Sequence, residues 1–291
     1  MLRNFGKTGL KVYPLGFGGG EIGDHSLNEK DVEKILNSAI DLGINLIDTA
    51  RGYGASEERI GKYLSHRRDE FIISTKVGYG IPGYPDWTYD CIIAGVNEAL
   101  RLMKTDFIDI VHLHSCSIDI LKNNYVIDAL EKMKESGKIK TVSYAGEWEP
   151  LIYAINTNRF DSIQTSINVT DQWNLNNSIP LTTDKKMGVI AKRSIANAPW
   201  RFDERPVGNY AEEYWLRWKE MDIKTDYEWL ELFLRFTAFV DGVDSCIIGT
   251  TNIEHLKRNV AIVQKGRLPN DVINLLKDLF IKHGNNWGSQ L

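Results

Sequence analysis

GINLIDTARGYGASEERIG, residues 43–61, decides how the chain is read. Its first part, INLID (44–48), is a short apolar run ending on Asp48, and the turn-prone residues after it place Tyr53 between Gly52 and Gly54. Two later segments finish in the same manner. FIISTK (71–76) closes on Lys76, and FIDIVHLH (107–114) closes on His114. A carboxylate, a phenol, an amine and an imidazole therefore gather at the C-terminal edges of successive strands, where a parallel α/β barrel carries its chemistry. Each residue alone has an ordinary explanation as a turn residue, a loop aromatic or a surface lysine. Their joint occurrence at successive strand ends is what points to catalysis.

Strand-like and helix-like segments alternate on both sides of this stretch. The opening LRNFGKTGLKVYP (2–14) has the pattern of a hairpin turning at residues 6–9, and LGFGGG (15–20) follows as a first barrel strand. After Asn28, a helix cap, Val32, Ile35, Leu36 and Ala39 recur at helical spacing and lead into INLID. Helices are predicted near 57–64, 90–103, up to Gly137, from Glu149, over 227–240 and over 253–263. Strands are predicted at KIKTVS (138–143), SIQTSI (162–167), MGVIAK (187–192) and SCIIGT (245–250). Eight strand–helix units predict one α/β domain over 1–291, a (β/α)8 TIM barrel with an N-terminal β-hairpin and a long loop after strand 7.

Composition agrees with a folded enzyme of this size. The hydrophobic share of 43% and charged share of 25% supply a large core and a solvated surface. A net charge of −4 leaves no basic footprint for nucleic acid. No apolar stretch approaches the ~20 residues of a membrane span, so a membrane is not an expected partner. The opening residues lack the apolar segment of a signal peptide. Cys91, Cys116 and Cys246 form no C-x-x-C pair and read as reduced thiols of a cytosolic protein. His112 and His114 share one side of their strand. No third ligand stands at a recognisable spacing, so no metal is expected.

The chemistry follows from the residue types. Reduction of a carbonyl leaves an alkoxide that must be stabilised and protonated as it forms. A phenol can donate that proton, and an ammonium held against it favours the phenolate. This assigns Tyr53 as proton donor, Lys76 as its activator, Asp48 as the lysine's partner and His114 as the donor that orients the carbonyl. The hydride itself requires a cofactor.

The same residues, in order and spacing, resemble the aldo-keto reductase family. Its D-T-A-x-x-Y-G-x-S-E core is matched by Asp48, Tyr53, Gly54, Ser56 and Glu57, its strand-closing Lys and His by Lys76 and His114, and the likeness continues through Val142, Ser143, Gln164 and IIGTTNIEHLKRN (247–259). The resemblance implies an extended nicotinamide dinucleotide across the top of the barrel, with NADP(H) favoured and NAD(H) the alternative. It implies carboxamide contacts from Ser143 and Gln164, phosphate contacts from Gly249, Thr250, Thr251 and Asn252, a 2′-phosphate neighbourhood at His255, and an adenine contact from Asn259. There are departures. Tyr144 replaces the usual Asn, and Lys192, followed by Arg193, replaces the aromatic that stacks on the nicotinamide, so these cations are expected to hold a cofactor phosphate or an anionic substrate group instead.

The long segment 192–226 holds Trp200, Trp215 and Trp218 and is expected to overhang the mouth. Trp87 and Trp200 are the candidate aromatics for a small carbonyl substrate, a sugar or other polyol among them. The helical spacing of Trp215, Trp218 and Met221 equally fits a stripe that packs inward. The competing functional class implied by the resemblance is a cofactor-binding regulatory subunit with little turnover.

Overall fold

The computed structural model describes residues 1–290. A two-stranded antiparallel hairpin, β1 (Arg3–Asn4) and β2 (Lys11–Val12), precedes eight parallel strands that close into a barrel. These are β3 (Leu15–Gly18), β4 (Leu46–Asp48), β5 (Ile72–Val77), β6 (Ile108–His114), β7 (Ile139–Ala145), β8 (Ser162–Ser166), β9 (Gly188–Lys192) and β10 (Ser245–Ile248). They lie side by side in chain order, and β10 pairs with β3 to complete the ring. The helices are α1 (Glu29–Asp41), α2 (Ser56–Leu64), α3 (Tyr89–Met103), α4 (Ile118–Lys122), α5 (Tyr125–Glu135), α6 (Trp148–Asn156), α7 (Trp173–Asn177), α8 (Ile179–Lys185), α9 (Glu212–Met221), α10 (Trp229–Phe239), α11 (Ile253–Gln264) and α12 (Asn270–Gly284).

Period two along each strand divides the core. Outward-facing residues such as Phe17, Ile47, Ile73, Val111, Val142, Ile163 and Val189 pack against the buried stripes of the helices. Inward, Leu46, Ile72, Ile110 and Ile190 meet Phe5 and Val12 of the hairpin, which plugs the N-terminal end of the barrel. Two residues further along the same inward rows, aliphatic gives way to polar. Leu46 is followed by Asp48, Ile72 by Ser74 and Lys76, Ile110 by His112 and His114, and Ile190 by Lys192. The interior is thus dry at one end and chemically equipped at the other.

α1 starts where expected, its Asn28 cap accepting from the Lys30 N–H. Short helices α7 and α8, of five and seven residues, fill the β8–β9 crossover, and α12 adds a C-terminal helix beyond the eighth unit. Segment 193–226 contains a 3-10 turn (Pro199–Arg201) and α9, and its three tryptophans each pack against a neighbour, as the helical spacing of Trp215 and Trp218 allowed. Trp218 meets Trp229 edge to face at 5.2 Å, and the Trp215 indole donates to the Phe202 carbonyl at 3.0 Å. Trp200 lies against Phe233 of α10, 5.0 Å between centroids, so its apolar ring is used by the core. The reason is area: aromatic rings at helical spacing gain more by burial than by exposure.

Candidate active site

Register brings the inward polar residues level with one another. Asp48 is opposite Ser74, Lys76 opposite His112, His112 opposite Ser143, and Ala145 opposite Gln164. Lys76 is buried and donates to Asp48 Oδ2 at 2.6 Å and to the Thr49 carbonyl at 2.8 Å. Its ammonium stands 5.0 Å from the centre of the Tyr53 ring. Burial alone pulls the amine down, but the Asp48 charge and the Tyr53 phenol outweigh it and hold Lys76 above its ordinary value. The lysine therefore stays cationic beneath the phenol.

Asp48 receives more than the lysine. Its Oδ1 accepts from the Ser74 hydroxyl and from Gln164 Nε2, both at 2.8 Å. Ser74 has one proton and gives it to the carboxylate, so His112 Nε2, 2.9 Å from the same hydroxyl, must be the donor to it. Fully buried, His112 is held well below its ordinary value by desolvation and by Lys76, which keeps it neutral. The double-histidine strand thus supplies one buried hydrogen-bond donor to the Asp48 network and one imidazole at the mouth.

Tyr53 is half-buried in the loop after β4, and the chain there is held by a close approach of backbone. A Cβ placed on Gly23 would lie 1.9 Å from the Tyr53 carbonyl oxygen. Because the obstacle is backbone, Gly23→Ala is expected to displace the Tyr53 loop, costing about 1–3 kcal/mol by overpacking. A thermal melt and a turnover assay should both register the change. Unchanged values in both would mean the loop yields freely.

His114 presents its ring edge to Tyr53, 6.0 Å between centroids. Burial, followed by Lys76 and Lys192, pushes its imidazole down to about 3, so it is neutral at physiological pH. Two aromatics complete this side. Tyr79 stacks on His114 at 5.5 Å, and Trp87 tilts against Tyr79 at 5.8 Å. Trp87 adopts φ +60°, a backbone conformation costly for a bulky residue, and is fixed by its N–H donating to the Gly78 carbonyl at 2.7 Å. Sequence reasoning named Trp87 but missed Tyr79. Its signal was available, since it stands three residues after Lys76 in the loop leaving the same strand.

The expected cofactor residues are distributed as follows. Ser143 is buried, donates to the Ser162 carbonyl at 2.9 Å and accepts from the Ser162 hydroxyl at 2.9 Å. Gln164 gives its amide nitrogen to Asp48, leaving the amide oxygen as the group available to a carboxamide. Tyr144 is a packing residue, its hydroxyl donating to the Cys116 carbonyl at 2.7 Å. Thr251, Asn252 and His255 are exposed at the start of α11, while Thr250 and Asn259 are buried. Asn252 caps α11 by accepting from the Glu254 N–H at 2.8 Å and from the His255 N–H. Lys257 pairs with Glu254 at 2.8 Å, and Arg258 pairs with Glu228. Gly18, Gly19, Gly20 and Gly249 line the adjoining rim, with open space above Gly20. An extended rim of glycines and hydroxyl side chains, ending at the N-terminus of α11, fits a dinucleotide phosphate.

Lys192 and Arg193 carry an arrangement that spacing alone did not disclose. Lys192 is paired at 3.2 Å with buried Glu147, and burial lowers its amine despite that carboxylate. Glu147 also accepts from Thr165, the Ser166 N–H and Asn174. Arg193 donates to the Gln290 carbonyl, Ser166 and Tyr210. Ser289 and the Gln290 N–H in turn donate to buried Asp171 at 2.9 and 3.0 Å. Burial and the Glu147 charge push Asp171 up to about 6. The chain beyond α12 therefore returns to the strand ends and braces this side of the mouth.

Comparison with known proteins agrees with the geometry. Residues 14–281 match the family model described as Aldo/keto reductase family. The uncharacterized oxidoreductase YqkF of Bacillus subtilis is 26% identical over 94% of this chain and 95% of its own length. The D-threo-aldose 1-dehydrogenase of a Pseudomonas species is 26% identical, covering 72% of this chain and 76% of that protein. Among solved structures, the holo form of aldo-keto reductase AKR11C1 from Bacillus halodurans superposes with a TM-score of 0.84 at 27% identity, covering 96% of this chain and 95% of that one. With a closed eight-stranded barrel, the Asp48, Tyr53, Lys76 and His114 set at its C-terminal mouth, and a family match across nearly its whole length, the chain belongs to the aldo/keto reductase family of oxidoreductases.

Proposed function

We propose that the protein interconverts an aldehyde or ketone with its alcohol, using NADP(H) in preference to NAD(H). The observation that carries this reading is the buried Lys76–Asp48 pair directly beneath the Tyr53 ring. A cation in that place has a clear use when a phenol must give up a proton at neutral pH. When bound, a nicotinamide dinucleotide would supply or accept the hydride. Tyr53 donates a proton to the oxygen of the new alcohol, Lys76 stabilises the phenolate left behind, and Asp48 keeps Lys76 charged and aimed. Neutral His114 orients the carbonyl oxygen by hydrogen bonding. Tyr79 and Trp87 offer flat apolar surface beside this oxygen, which suits a sugar or polyol carbonyl. The aldose dehydrogenase among the relatives supports that substrate class. Monitoring NADPH and NADH oxidation against a panel of aldoses, ketoses and simple aldehydes tests the proposal. No turnover with any carbonyl in either direction would favour a cofactor-binding subunit instead.

Cofactor contacts are assigned to Gln164, the 249–252 turn and exposed His255, with Ser143, Lys192, Arg193 and Asn259 shaping the same cleft. The preference for NADPH over NADH is expected to be small, about two- to fivefold in Kd. Lys257 and Arg258 already share their charge with Glu254 and Glu228, and exposed pairs of this kind contribute only ~0–1 kcal/mol. Fluorescence titration at fixed ionic strength measures the ratio. Equal or reversed affinities would mean that these basic residues do not reach the 2′-phosphate.

A further inference from the structure

We infer that Tyr79 is a positioning residue that sets the tautomer of His114, placing the ring proton on Nε2, where it faces the substrate oxygen. The inference rests on the carbonyl chemistry proposed above for its consequence, but not for its geometry. The Tyr79 hydroxyl lies 2.9 Å from His114 Nδ1, and among the described residues no other side-chain or carbonyl acceptor bonds it. A neutral imidazole protonated on one nitrogen offers a lone pair on the other. If Nδ1 carried the proton, the phenol would have to accept and its own O–H would have no acceptor among the described residues, so a hydrogen bond to the protein would be exchanged for none. The phenol therefore donates to Nδ1, and the proton of the neutral ring resides on Nε2. That nitrogen has no hydrogen-bond partner among the described residues, which leaves its N–H for a ligand.

Three further contacts show that the hydroxyl is held and not merely nearby. The Tyr79 ring is stacked on His114 with an interplanar angle of 22°, and Trp87 tilts against it, 5.8 Å between centroids. Gly52, inside the Asp48–Tyr53 loop, makes room for it: a Cβ there would lie 2.9 Å from the Tyr79 hydroxyl oxygen. Burial, then the neighbouring Tyr53, raises the Tyr79 phenol, so it remains a donor and does not compete with Tyr53 for the acid role. The two tyrosines are separated in function by the cation: Lys76 lies under the Tyr53 ring and is bonded to Asp48 on its far side.

The test uses Tyr79→Phe, which keeps both stacking contacts and deletes only the donor, with Tyr79→Leu as a second variant that removes the ring as well. In ¹⁵N-labelled parent protein the two His114 nitrogens should show a bare Nδ1 and a protonated Nε2. In Tyr79→Phe the population should shift toward protonated Nδ1. Turnover with saturating NADPH should fall about two- to tenfold, the range of one ordinary hydrogen bond, while the Kd for NADPH stays within twofold of the parent. A parent already protonated on Nδ1, or a Tyr79→Phe spectrum and turnover identical to the parent, overturns the inference. Tyr79→Leu should show the same tautomer shift as Tyr79→Phe with a raised KM; an unshifted tautomer there overturns it too. Because the nitrogen spectrum needs no substrate, an inactive parent protein would defeat the proposed reaction and leave the tautomer assignment standing.

Discussion

Tyr53→Phe is expected to lower turnover by about 10²- to 10⁴-fold, the usual contribution of a positioned general acid. Only the phenolic oxygen is removed, and the half-buried ring keeps its place over Lys76 and beside His114. The fold should therefore be undisturbed and dinucleotide binding nearly intact. Steady-state kinetics with NADPH titration beside them separates the two effects. Wild-type turnover in Tyr53→Phe would remove Tyr53 from the mechanism, whatever the family pattern. The acid side of the parent profile carries its own expectation. His114 sits far below its ordinary value at about 3, so its neutral form persists as pH falls and its protonation should cost activity only near pH 4 and below.

Lys76→Met is the second large effect, with at least tenfold lower turnover, because one unit of displaced ionisation is already worth ~1.4 kcal/mol. The substitution deletes the cation that stabilises the phenolate, so the alkaline limb of the rate profile for carbonyl reduction should move. It also leaves Asp48 buried with only neutral donors, Ser74 and Gln164. Removing one partner of a buried pair costs about 3–5 kcal/mol, so the melting temperature should fall as well. Asp48→Asn should cost less in turnover. Its amide oxygen still accepts from Lys76, while Ser74 can rotate and Gln164 can turn its amide oxygen inward to accept from the new amide nitrogen. A Lys76→Met protein with an unchanged profile and near-normal rate would make the lysine structural and the proton route wrong.

The barrel and four of its site residues were legible because their signals are local. Period-two rows, helical spacing and a polar residue closing an apolar run each lie within one element, and Asp48, Lys76 and His114 are all strand-end residues of that kind. The Trp200, Trp215 and Trp218 wall illustrates the opposite case. Spacing could not say whether the stripe faced a substrate or the core, and burial against Trp229, Phe233 and the Phe202 carbonyl decided it. α7 and α8 were missed because helices of five and seven residues are too short to show a helical period.

What the sequence determined by itself was the order of the barrel strands, the family, and which residues stand at the strand ends. Tertiary structure alone decided what those residues bind. Gln164 reaches Asp48 across 116 positions of chain, Ser74 links that carboxylate to His112, and Lys192 turns to Glu147. Ser289 and Gln290 return from beyond α12 to Asp171, and Tyr79 finds Nδ1 of His114. Each of these bonds needs barrel closure to set two strands or loops in register within ~3 Å, the reach of a hydrogen bond. No spacing along the chain encodes such a distance, because it is the sum of every strand tilt and helix packing between the two ends.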